Sequence, residues 1–235
     1  MADGMYVSMN GAAARAAQLE SVSDNLANAQ TPGFKASRPV FQSFLAESGE
    51  AELAYPAVVR ASVDLRPGAT MVTGNQTDVM PDPGAFFAIT LPDGTQGFTR
   101  AGRLIADATG LLTVNGRPIM GQNGQAVSLP PGAPWSVDQK GAILSNGLEV
   151  GRLALFQLPP NVERVGESML RLTDGGQALP VEAKVRPGEL ELSNASPLEA
   201  AVQMISAQRS FDSSMQAVQT YRRMDERANE LGRVR

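Results

Sequence analysis

Residues 5–35 read MYVSMNGAAARAAQLESVSDNLANAQTPGFK. Met5, Met9, Ala12, Ala16, Leu19, Ser23 and Leu26 are spaced alternately four and three residues apart, the interval that keeps side chains on one stripe of a helix. Asn10, Arg15, Gln18 and Asp24 fall opposite. Alanine lets a neighbouring helix approach closely, and methionine adapts to uneven holes. The stripe ends at Asn28, Gln30, Thr31, Pro32 and Gly33, where proline cannot continue a helix and pushes the residue before it toward extended geometry. One amphipathic helix with a hard stop is predicted.

The far end of the chain repeats the theme. Ser196-Pro197-Leu198-Glu199 supplies a cap, a proline suited to the first helical position and the acid of a capping box. An apolar stripe follows through Ala201, Ile205, Phe211, Met215, Val218, Tyr221, Met224, Ala228 and Leu231, interrupted at Gln208, with Gly232 as a stop. Charges of both signs occupy the outer face, the pattern of a solvated helix surface. Two single-stripe helices at opposite ends fit two arrangements. They pair with each other and with copies in neighbouring chains, or they lie on the middle of the chain as a lid. Periodicity does not separate the two.

Most of the glycines, most of the prolines and the single Trp135 lie between these helices. Pro92-Asp93-Gly94, Asn115-Gly116, Asn123-Gly124, Asn146-Gly147 and Asp174-Gly175 are strong turn signals. Short apolar or alternating runs separate them, such as Phe86 to Leu91, Leu111 to Val114 and Arg152 to Leu158. The middle thus predicts a compact antiparallel β-domain of barrel or sandwich type, and the fold class is α+β. The expected organisation is an N-terminal helical segment (1–35), an extended connector (36–80) in which residues 58–65 suit a strand, a β-rich domain (81–190) and a C-terminal helical segment (191–235).

The composition excludes much chemistry. The chain has 235 residues, no cysteine and no histidine, so thiol nucleophiles, Ser-His-Asp triads, disulfides and His- or Cys-ligated metals are absent. A phosphate loop and a Gly-x-Ser-x-Gly elbow are missing, and no stretch has the alternating acids of a calcium loop. Asp82, Asp93 and Asp107 read as turn residues, where aspartate bonds its own backbone. Asn75-Gln76-Thr77 and Asn194-Ala195-Ser196 match the glycosylation triplet only weakly, and Trp135 reads as a core aromatic. With 20 Lys+Arg against 24 Asp+Glu and a net charge of −4, nucleic acid is not an expected partner. No catalytic, cofactor or metal residue is assigned. No signal peptide or membrane span is evident, which the general rules read as a soluble cytosolic protein. An interaction protein is favoured over an enzyme, with a β-rich ligand- or carbohydrate-binding module under a helical lid as the competing class.

Three ordered stretches resemble a known family. Ser23-Asp24-Asn25-Leu26-Ala27-Asn28-Ala29-Gln30-Thr31-Pro32-Gly33-Phe34-Lys35 resembles the N-terminal signature of bacterial flagellar rod and hook proteins, with Asp24 where Asn is commoner. Phe86-Phe87 followed by Phe98-Thr99-Arg100-Ala101-Gly102 is similar to that family's β-segment, with Ala85 where Gly is usual. Glu191-Leu192-Ser193-Asn194 and then Gln208-Arg209-Ser210-Phe211 resemble its C-terminal block. The signature positions carried over are Asn25, Asn28, Thr31, Pro32, Gly33 and Phe34, then Phe87, Arg100 and Gly102, then Ser193, Asn194, Gln208 and Arg209.

The resemblance implies a non-enzymatic building block of the flagellar axis, without cofactors, exported by the flagellar type III apparatus with no cleaved signal. It implies a periplasmic rod position and helical polymerisation with copies of itself and other rod or hook proteins. Both terminal helices would form a coiled-coil-like inner domain, with the β-domain outside. The short length and divergent signatures favour a proximal-rod member over a distal-rod one. The inter-subunit packing residues are then expected to be Met5, Met9, Leu19 and Leu26 with Ile205, Phe211, Met215, Val218 and Leu231. Exposed stripes would polymerise a free subunit too early, so the terminal helices are expected to be loosely held before assembly and to order on it.

Overall fold

A computed structural model describes residues 2–45, 54–173 and 175–233 of the chain. Helix α1 (Ala2–Ala27) opens it, and the helix stops where Pro32-Gly33 requires. Strands β1 (Ser37–Leu45), β2 (Ala54–Val63), β3 (Thr70–Val72) and β4 (Val79–Pro81) occupy the stretch expected as a connector. The middle continues with β5 (Ala85–Thr90), β6 (Gln96–Thr99), β7 (Leu104–Ala106), β8 (Leu112–Val114) and β9 (Arg117–Pro118). Then come β10 (Trp135–Val137), β11 (Ala142–Ser145), β12 (Leu148–Arg152), β13 (Leu155–Gln157) and β14 (Val162–Arg164). The last strands are β15 (Met169–Leu172), β16 (Leu179–Pro180), β17 (Val185–Pro187) and β18 (Glu189–Glu191), before helix α2 (Pro197–Arg233). The α+β class is as expected.

The chain divides into two compact units. One comprises Met1–Ala27, Ser37–Ala61 and Pro197–Arg235; the other comprises Asn28–Ala36 and Ser62–Ser196. In the helical unit, α1 packs along α2. The buried residues of α2 are Ala200, Ala207 and Val218, with half-buried Met204, Phe211 and Ser214 between them. Their alternating spacing of four and three residues is a seam, displaced by one position from the expected stripe at Ala201 and Ile205. The alanines explain the choice: they let α1 approach closely, whereas a branched side chain at the same place holds a helix away. On α1, among the described side chains, Ala12, Ala14, Val22 and Asn25 are buried.

The β-unit is antiparallel at every recorded strand pair. Its largest sheet is open and six-stranded, in the order β14-β15-β6-β5-β13-β16, rather than a single closed barrel. Three-stranded β10-β11-β12 and β7-β8-β9 and two-stranded β17-β4 and β18-β3 complete it. β5 is the axis: its Phe87 and Ile89 enter one apolar cluster while Phe86 and Ala88 enter another, so both faces are covered and its sequence is apolar without interruption. Trp135 packs, partly buried, against the first cluster.

Turn chemistry explains the hairpins. Asn115 and Asn146 take φ of 49° and 52°, each followed by a glycine with positive φ, which is the left-handed pair that a two-residue hairpin needs. They join β8 to β9 and β11 to β12. Asp93 and Asp107 sit in turns, where each carboxylate accepts the amide two residues on, from Thr95 at 2.9 Å and Thr109 at 2.8 Å. Those threonine hydroxyls also bond the carboxylates and, with the amides, hold both acids below the usual carboxylate range. The turn expected at Asp174-Gly175 lies partly outside the described residues.

Phe87 is fully buried at the centre of this unit. Phe87→Ala should cost about 3–5 kcal/mol, read as a lowered urea midpoint with unchanged slope. A loss below about 1 kcal/mol would show that β5 is not the axis of the core.

Candidate functional site

Residues 31–35, 99–102 and 191–194, one part of each signature stretch, meet in the β-unit around the carboxylate of Glu191. Chain geometry brings them there stepwise. Thr31 donates its amide to Asn28 O at 3.0 Å and its hydroxyl to Asn28 Oδ1 at 3.2 Å, closing the turn that precedes Pro32. Gly33 then takes φ of 73°, and its amide donates to Glu191 O at 2.8 Å. A Cβ at Gly33 would stand 2.1 Å from Ala101 N, so glycine is required both for the left-handed backbone and for the close approach. Phe34 is fully buried, with the Arg164 guanidinium 4.8 Å above its ring.

Beyond Phe34, Lys35 is buried and its ammonium donates to Glu191 Oε1 and to Arg66 O, both at 2.6 Å. Gly68 N adds a further bond to Oε1 at 3.2 Å. On the opposite side, Arg100 donates from Nε to Glu191 Oε2 at 2.9 Å and from Nη2 to the same oxygen. Its remaining donors go to the carbonyls of Pro81 at 3.1 Å, Asp82 at 2.7 Å and Ala85. All five Arg100 donors thus have acceptors, and Lys35 places two of its three N–H groups, as burial of a cation demands. Gly102 is needed behind them, because a Cβ there would lie 1.7 Å from Val79 O.

Asn194 closes the arrangement. Its Oδ1 accepts Ala36 N at 2.7 Å, and its Nδ2 donates to Asp64 O at 2.7 Å and Arg66 O at 3.0 Å. Ser193 Oγ accepts Ala195 N at 3.0 Å. Asn25, in the helical unit, uses its amide in the same manner: Nδ2 donates to Ser37 O at 2.8 Å and Oδ1 accepts Ser37 N at 3.0 Å. Asn25 and Asn194 are backbone clamps, each accepting one N–H and donating to carbonyls from one planar side chain.

Burial raises the Glu191 carboxyl, but the Arg100 and Lys35 charges outweigh it and hold the group below its ordinary value. Lys35 is lowered, because its burial costs more than Glu191 returns and Arg100 repels it. Two cations share one carboxylate, and Lys35 is the charge that folding disfavours. The Glu191 carboxylate spends both oxygens on Lys35, Arg100 and Gly68 of its own chain, which makes the arrangement a structural lock.

Among the expected signature residues the structure gathers Thr31, Pro32, Gly33, Phe34, Arg100, Gly102, Ser193 and Asn194 near this carboxylate, while Phe87 lies in the core beside them. Gln208 and Arg209 are instead exposed on α2. Glu191 and Lys35, the centre of the lock, lie inside the quoted stretches but were not singled out. A charged residue between Leu190 and Leu192 in a strand was their only local signal. Of the expected packing residues, Met9, Ile205 and Met215 are exposed, Leu19, Leu26 and Phe211 are half-buried and Val218 is buried; the side chains of Met5 and Leu231 lie outside the described residues. Among the described residues, no helix is long and apolar enough to cross a membrane, and no group of three or more acids could hold a metal ion.

Known proteins with this pattern define the class. The family model described as Flagella basal body rod protein matches residues 5–35, and that described as Flagellar basal body rod FlgEFG protein C-terminal matches residues 186–231. These two ranges carry the first and third signatures. The flagellar basal-body rod protein FlgF of Salmonella typhimurium is 31% identical over 98% of each chain. FlgF of Mesorhizobium japonicum is 28% identical over 99% of each. FlgG of Buchnera aphidicola subsp. Schizaphis graminum is 25% identical over 98% of this chain and all of its own. The chain belongs to the flagellar basal-body rod protein family. Within that family it is most like FlgF, and its relatives are structural rod proteins, not enzymes.

The lock predicts an asymmetry. Glu191→Gln strands two buried cations and should cost about 3–5 kcal/mol. Lys35→Met, which removes the surplus charge, should be near neutral or stabilising in the same denaturation series. Because the folded carboxyl of Glu191 is depressed, its stabilisation is full above the unfolded value near 4.5 and is lost as pH falls through the lower folded value. The wild type should therefore lose stability below pH 4.5 more steeply than Glu191→Gln. Equal acid profiles would contradict the assignment.

Proposed function

We propose that this chain is a rod subunit of the proximal segment that polymerises helically through its terminal helices and passes motor torque across the periplasm. The observation that carries this reading is the apolar surface left on the helices. Leu198, Val202, Ile205 and Met215 are exposed on α2, as is Met9 on α1, although the Ala200-Ala207-Val218 face of α2 is already buried. A helix with one apolar face satisfied within its chain and another uncovered is built to meet further helices. Met9, Ile205 and Met215 form the proposed inter-subunit surface, edged by Leu19, Leu26 and Phe211, and Met5 and Leu231 extend the same sequence stripe. The resulting inner layer is coiled-coil-like, with copies of this chain and other rod or hook proteins as its members. A packed helical layer resists deformation, the property that torque transfer requires.

Export through the flagellar type III apparatus, without a cleaved signal, belongs to the same proposal. The full-length match to rod proteins favours it over a ligand- or carbohydrate-binding module. A distal-rod position is the second reading, favoured by the full-length match to FlgG of Buchnera.

Electron microscopy of basal bodies from a strain lacking the gene separates the positions. A stub without distal rod or hook is expected. A surviving proximal rod that lacks distal rod and hook would favour the second reading, and complete flagella would end both. In a complementing series, Ile205→Glu with Met215→Glu should leave the β-unit folded by circular dichroism yet abolish incorporation, since each apolar side chain contributes about 1.5–3 kcal/mol when buried. Normal rods and swimming in that double variant would refute the surface.

A further inference from the structure

The β-unit holds a groove that the lock and the helices do not use. One part, a cavity of about 460 Å³, is lined by Met120, Phe156, Pro180 and Val181, with Gln96 at its side. A second part of about 210 Å³ shares Gln122, Leu155, Val181 and Glu182 with the first and adds Lys140, Arg152 and Lys184. An apolar chamber therefore continues into a cationic one.

The cations are unusual in their setting. Lys140 and Lys184 are two of only three lysines in a chain of net charge −4. Both are exposed, and neither joins an ion pair among the described residues. Glu149 takes Arg152 Nη2 at 3.1 Å, but Arg152 Nε is buried without a hydrogen-bond partner. Such a donor costs free energy until an acceptor reaches it. The acids close by are already engaged. Asp138 Oδ1 accepts the amides of Lys140 and Ala142 at 2.8 Å, and Asp82 Oδ2 accepts that of Lys184 at 3.2 Å. Glu182 alone opposes three cations in the lining.

The nearby sheet edge restricts how an occupant binds. β16 is an outer strand of the six-stranded sheet, and its Pro180 has no N–H to offer an added strand. Recognition must come from side chains.

We propose that this groove docks an acidic segment of a neighbouring rod subunit, with an apolar side chain in the Phe156 chamber and an adjoining carboxylate among Lys140, Arg152 and Lys184. The inference rests on the assembly reading above and names a second contact for it, within the β-unit.

The test places a photo-crosslinking amino acid at Gln122, which is exposed and lines both chambers, in full-length protein expressed in cells that build flagella. Basal bodies are purified and cross-linked peptides sequenced. The expected product joins Gln122's position to a rod-subunit segment bearing Asp or Glu beside an apolar residue. Its yield should fall about tenfold, equivalent to about 1.4 kcal/mol, in Lys140→Glu with Lys184→Glu. Lys140→Gln with Lys184→Gln gives the same reading if the reversed pair fails to fold. A subunit present in basal bodies that yields no cross-link, a cross-link to saccharide or to a segment without acid, or a yield indifferent to charge would overturn the groove while leaving the rod reading intact. Absence of the chain from basal bodies would overturn both.

Discussion

A single buried carboxylate holds two cations drawn from distant parts of the chain. Glu191 bonds Lys35 across 156 positions of sequence and Arg100 across 91, and each group is almost wholly removed from water. Such a cluster is a poor source of net stability, since desolvating three charges costs several kcal/mol per ion before any attraction is counted. Its value lies in the penalty for alternatives. A slip of β18 by one residue would turn Glu191 to the other face and leave Lys35 and Arg100 buried and unpaired. The turn at Thr31-Pro32-Gly33, the strand end at Arg100 and the β18 segment are thereby fixed to one register, and the glycines at 33, 68 and 102 are small because the backbones they separate nearly touch.

The helix boundary, the hairpins and the turn aspartates were legible locally because local forces decide them. Pro32 removes a helical donor wherever the chain is placed, and Asn115-Gly116 and Asn146-Gly147 favour left-handed backbone by themselves. The helix seam was less legible. Ala201, Ile205 and Met215 and the neighbouring Ala200, Ala207 and Val218 both have helical spacing, and only the presence of α1 decides that the alanine face is the one buried. Glu191 and Lys35 were hidden for a deeper reason: burial of a charge depends on partners that no local window contains. Within residues 36–80 the strand expected at 58–65 overlaps β2, whereas β3 has no local signal because it pairs with β18, far away in sequence.

The division of labour between the units follows from these contacts. The β-unit closes two apolar clusters and the charge lock within its own chain, yet it leaves Val72, Ile105, Leu148 and Leu179 exposed. The helical unit buries alanines and Val218 and leaves Leu198, Val202, Ile205 and Met215 exposed. The Asn25 clamp on Ser37, inside the helical unit, ties the end of α1 to the start of β1 by hydrogen bonds as well as by covalent chain.

Residue-resolved amide exchange on the free subunit and on assembled rods tests this account most directly. It predicts that residues 33–36, 99–102 and 190–194 exchange slowly in both states, while α1 and α2 exchange faster in the free subunit and become protected only on assembly. Full protection of residues 5–26 and 198–231 in the free subunit, or rapid exchange around Glu191, would contradict it.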